Sequence, residues 1–206
     1  MSVVVLVALS AAVAYDTSVS VHVRGQATPV EGVALPSGRG GLNLQVGSTT
    51  RTIPWMDIAS LDSQAGIDED LVALWQAGQD VHRAMRRVER GDLSGAEPLF
   101  AEHFRSGPDD VRALDLACAD GLMRCRIDRG AMAQAVVPML QAARALRRGA
   151  STGWIPIVDE QTAWCPWIAP AWLDEDAAAR CGVVLDQWDA GGDPVLEAAR
   201  ADWLAV

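Results

Sequence analysis

The chain has 206 residues, half of them apolar, and its 27 acids against 17 basic residues give a formal net charge of −10. That length and apolar content suit one or two small domains with a real core and exclude a disordered chain. Ten of the acids but only two arginines fall in residues 151–206, and phosphate binding needs a basic face, so no nucleic-acid partner is expected. All the basic residues are arginine, and alanine is abundant. That reflects the codons of a GC-rich genome rather than a function.

Val3 to Ala14 is a compact apolar run, too short to cross a bilayer as an ordinary helix, so the mature chain is expected to have no transmembrane segment. It closes on Ala12-Val13-Ala14, the small-x-small pattern of a signal-peptidase site. Residues 1–14 are therefore expected to be a signal peptide, with the mature protein beginning at Tyr15 and exported to the periplasm or beyond. No Lys or Arg precedes the run. Taken as a buried β-strand, the same residues would leave the protein in the cytoplasm.

Residues 15–63 change to a period of two. Val19, Val21 and Val23 alternate with Ser20 and His22, as in a half-buried strand, which puts His22 on the polar side. Val30 to Leu35 form a second strand with Gly32 at a bulge. Pro36 to Gly41, PSGRGG, is a flexible loop. Leu42 to Val46 and Thr49 to Ile53 form a third and fourth strand, followed by Trp55, Ile58 and Leu61. Arg24, Arg39 and Arg51 are scattered along this stretch and form at most a modest basic patch. The pattern resembles a small Sm-like β-barrel of about five short strands, of the kind found ahead of helical repeats in uncharacterised exported bacterial proteins.

Residues 64–70 are polar and acidic and read as a linker that caps the next helix. From there to residue 149 the period is helical. Leu71, Leu74, Trp75, Gly78, His82, Met85 and Val88 share one face, while Arg83, Arg86, Arg87 and Arg90 occupy the others. Gly91-Asp92 breaks the helix, with Asp92 or Ser94 as the next N-cap, and Ser94 with Glu97 has the form of a capping box. Ala96, Leu99, Phe100 and Phe104 then line a second helix, ended by Ser106-Gly107-Pro108. Pro108 opens a second hairpin. Asp109 and Asp110 sit in its first turn, Val111, Leu114, Leu116, Cys118, Leu122 and Cys125 are its apolar set, Arg129-Gly130 is its turn, and Ala135, Met139 and Ala143 follow.

Ala84, Gly91-Asp92, Ala96, Phe100 and Pro108 stand at the spacings of a tetratricopeptide repeat, which this stretch resembles. Asp80, Arg83 and Arg87 stand where that family has its first-helix Trp, Leu and Tyr, so the match is half a motif. The two turn glycines are 39 residues apart, against a family period of about 34, so the second copy is degenerate. An ordinary helical bundle remains the alternative. The expected fold class is thus α+β: a small β-barrel-like domain at 15–63, then an all-α domain of helical hairpins at 71–149.

Residues 150–206 begin with a Pro-rich break carrying four of the eight tryptophans, Trp154, Trp164, Trp167 and Trp172. Two acidic helices follow, starting near Asp174 and Pro194. The tryptophans either cap the open end of the helical stack or line a binding groove.

No constellation for catalysis stands out. His82 and His103 could meet in one hairpin, but no third ligand at a metal spacing accompanies them, so neither a metal nor a cofactor is expected. No GxSxG, HExxH, P-loop or dinucleotide glycine pattern occurs. Cys118 and Cys125 are seven residues apart on one helix, about 10 Å, too far for a bridge. Cys165–Cys181 is the candidate disulfide, with four buried thiols as the alternative. The resemblance to helical repeats implies a non-catalytic scaffold for another protein or peptide, lined by Arg83, Arg87, Arg112 and Asp115. Alternatives are carbohydrate or envelope binding through Trp164 and Trp167, and an accessory role to an enzyme on another chain.

Overall fold

The computed structural model describes residues 17–63, 66–105, 112–158 and Cys165. Their fold is α+β, a five-stranded antiparallel sheet followed by four helices. The strands are β1 (Thr17–Val23), β2 (Val30–Ala34), β3 (Leu42–Val46), β4 (Thr49–Ile53) and β5 (Ile58–Ser63), and their order across the sheet is β4-β3-β2-β1-β5. Alternation decides which face is wet. Val19, Val21 and Val23 point into a core completed by Ala34, Leu42, Leu44, Ile53, Trp55, Ile58 and Leu61, while Ser18 and His22 face solvent.

Two local expectations change. The register irregularity lies between His22 and Val23 on β1, not at Gly32. Gly32 serves close approach instead, since a Cβ there would stand 2.4 Å from the Gln45 carbonyl oxygen on β3. The PSGRGG loop is pinned rather than loose. Ser37 Oγ donates to the Leu35 carbonyl at 2.7 Å and accepts from Asn43 N at 2.9 Å, and Trp55 Nε1 donates to the Gly38 carbonyl at 2.7 Å.

The helices are α1 (Glu69–Glu89), α2 (Leu93–His103), α3 (Ala113–Asp128) and α4 (Met132–Arg147). Asp68 caps α1, accepting from Asp70 N at 2.9 Å. The face of α1 that is buried holds Leu71, Ala77, Gly78, Val81, Ala84 and Met85, whereas His82 and Val88 are only half-buried. Gly91 takes φ +79°, the left-handed conformation that stops α1. Asp92 then caps α2 by accepting from Gly95 N at 3.0 Å. Ser94 lies inside α2, and Glu97 is not its capping-box partner. Glu97 instead takes both Arg129 Nε at 2.8 Å and Arg129 Nη2 at 2.9 Å, tying α2 to the α3–α4 turn. Those bonds hold its carboxyl below the usual carboxylate range.

The helix α2 ends at His103, with Phe104 extended as its C-cap. The expected start of the next helix at Pro108, with Asp109, Asp110 and Val111, lies outside the described residues. Each helix packs on the next, α1 on α2, α2 on α3 and α3 on α4, and α1 also touches α3. Ala84, Ala96, Phe100 and Cys118 meet in the core between the two hairpins. Among the described residues no helix is long and apolar enough to cross a membrane.

Cys118 and Cys125 are buried and unbridged, as their helical spacing requires. Burial pushes both thiols up to about 12. A thiol reacts as its thiolate, so iodoacetamide at mildly alkaline pH is expected to leave both unmodified in the native protein and to label them after denaturation. Peptide mapping of the alkylated protein reads this directly. Rapid native labelling of Cys118 would mean that its helix opens readily.

Candidate binding surface and charged junction

The residues expected to line a partner surface fall into two groups. Arg83 and Arg87 stand one turn apart on the outer side of α1, 60% and 43% exposed. Arg83 pairs with Asp80 on the same helix. Arg87 sits at the hairpin turn, where Nη1 donates to the Gly95 carbonyl at 3.0 Å and lies 3.4 Å from Asp92 Oδ2. Arg112 is exposed at the start of α3 and lines a cavity of about 280 Å³ with Gly38, Gly40, Asn43 and Thr52.

Asp115 does not belong to an open surface. Its side chain is 1% exposed. The reason is position: as third residue of α3 it turns back on the N-terminus, accepting from Arg112 N at 3.1 Å, and there it meets Arg39 Nε at 2.5 Å. Arg39 comes from the pinned glycine-rich loop. Its Nη2 also donates to the His103 carbonyl at 2.8 Å, at the end of α2. One guanidinium from the loop between β2 and β3 thus binds the end of one helix and the start of the next. The scattered arginines accordingly make no common patch. Arg39 is committed here, Arg24 donates to the Met56 carbonyl at 3.1 Å, and Arg51 is exposed on β4.

His82 and His103 do not meet. His103 Nε2 lies 3.2 Å from Asp80 Oδ2. Residues two apart on a helix point about 200° apart, so with Asp80 turned toward α2, His82 faces the other way. Burial first, and then the charges of Arg24 and Arg86, lower the pKa of His82. Asp80 and Glu102 are the neighbours of His103 that spacing did not reveal. One carboxylate oxygen from each and an imidazole nitrogen of His103 all lie within 4.8 Å of one another. The only trace of the group in the sequence is the adjacent Glu102-His103 pair, since Asp80 is supplied by the other helix of the hairpin.

The contacts run continuously from Arg83 through Asp80, His103, Arg39 and Asp115 to Arg112, so four elements converge on one charged junction. The tryptophan segment is represented here by Trp154. Its ring meets Phe100 edge-on at 6.0 Å between centroids and lies 5.1 Å beneath the Arg124 guanidinium. Trp164, Trp167 and Cys181 lie outside the described residues, as do residues 1–14, where a signal peptide is expected, and Cys165 is buried. Comparison with protein-family models, with curated proteins and with solved structures finds no match to this chain.

Proposed function

We propose that the chain is a non-catalytic scaffold that binds another protein or peptide, exported from a bacterial cell, with tetratricopeptide-like hairpins following a barrel-like sheet. The observation that carries this reading is the contact of α1 with α3 on top of the stepwise packing of α1 to α4. It sets the first helices of the two hairpins side by side, the arrangement by which stacked hairpins build an extended binding face. The small buried residues Ala84 and Ala96 and the buried Phe100 at their junction favour the same reading. Arg83 and Arg87 on α1 and Arg112 at the start of α3 supply charged groups at the rim of that face.

The test is affinity capture from a native envelope extract, run in parallel with wild-type protein and an Arg83→Glu/Arg112→Glu variant of equal thermal stability. A partner held by the wild type and depleted at least about tenfold by charge reversal is expected, the scale of losing a well-placed charged contact. Identical capture by both proteins, or no stoichiometric partner for either, would reject the proposed face.

A further inference from the structure

We propose that Asp80, Glu102 and His103 form a binding site for a first-row divalent cation, with zinc as the best match, bridging α1 to the C-terminal end of α2. The proposal is independent of the partner reading. Three donor groups that suit such an ion, one imidazole and two carboxylates, come together from two helices. The spacing is also right. Two ligands of one tetrahedral zinc at about 2.0–2.1 Å from the metal stand about 3.3 Å apart. His103 Nε2 and Asp80 Oδ2 are 3.2 Å apart. Glu102 is exposed, and its side chain has the freedom to close the remaining distance.

A second, separate observation concerns how the ligands are held. Asp80 gives its other oxygen, Oδ1, to Arg83, which leaves Oδ2 to face the imidazole. The backbone carbonyl of His103 is fixed by Arg39. Outer partners of this kind orient metal ligands. The two guanidiniums do not cancel the site, because Arg39 is itself matched by buried Asp115. The carboxylates of Asp80 and Glu102, with the negative end of α2, then outweigh Arg83. A bound ion would take the Nε2 lone pair of the neutral imidazole, any proton on that nitrogen passing to solvent, with the remaining positions filled by water.

The experiment uses the full chain stripped with a chelator and titrated with zinc chloride by calorimetry. Cobalt absorption in the visible serves as a second readout of a low-symmetry nitrogen-and-oxygen site. Zinc is expected to bind and to raise the melting temperature, and Asp80→Asn or His103→Gln to weaken binding by at least about tenfold. Glu102→Gln changes an exposed side chain that the fold does not need, so its affinity remains readable even if the other two variants fold poorly. Weaker zinc binding by Glu102→Gln at an unchanged metal-free melting temperature supports the site. Absence of zinc binding, or affinity unchanged in Glu102→Gln, overturns it.

Discussion

Phe100→Ala is expected to cost about 3–5 kcal/mol of folding stability, the range for deleting a fully buried aromatic ring. The ring has no exposed surface and sits where α1, α2 and α3 meet. It lies directly over Gly121, where a Cβ would come within 2.3 Å of Cζ. The neighbours cannot refill the space cheaply. Gly121 has no side chain to move in, and Trp154 is held under Arg124, whose Nη2 donates to the Ile155 carbonyl at 2.6 Å. Equilibrium urea unfolding would measure the loss as a lower midpoint at an unchanged slope. A loss under about 1 kcal/mol would mean the hairpins repack around the hole, against the usual behaviour of close-packed cores.

The second large effect is electrostatic. Arg39→Ala is expected to cost about 3–5 kcal/mol, because it strips the counter-charge from a buried carboxylate. Asp115 is 1% exposed and Arg39 16%, so little solvent screens the pair. After the substitution Asp115 keeps, among the described residues, only the Arg112 backbone N–H at 3.1 Å, and the His103 carbonyl loses the Arg39 donor. The double variant Arg39→Ala/Asp115→Asn should recover much of the loss, since the stranded charge goes with its partner. Additive losses in that double-mutant cycle would show that the pair does not interact energetically.

The sheet could be read from the sequence because its strands have one wet face, so period two survives in the residues themselves. Val19, Val21 and Val23 are the clearest case. The hairpin turn was equally legible, since Gly91 and Asp92 carry the stop and the next start in two adjacent residues. What failed depended on contacts distant in the chain. The resemblance to helical repeats puts Asp115 on an open binding face, and it is Arg39, 76 residues away, that meets it inside. Glu97 has the local form of a cap, but Arg129 binds both its oxygens from 32 residues away, and a bidentate charged pair beats a single local hydrogen bond. The Asp80–Glu102–His103 group escaped for the same reason, because ligands split between two helices leave no fixed spacing to find.

The long helix α1 belongs to two cores at once. Leu71 closes the core of the sheet, with Leu74 and Trp75 packed against it, while Ala77, Val81, Ala84 and Met85 belong to the hairpin core together with Met56 from the short 3-10 turn Trp55–Asp57. Gly78 allows this, for a Cβ there would strike the Trp55 backbone at 2.7 Å. A helix used in this way transmits damage in both directions. Losing it would unroof Trp55 and Ile58 in one half and Phe100 in the other. The described residues are expected to melt as one cooperative body, and a fragment ending before α1 would carry an apolar surface with nothing to lay against it.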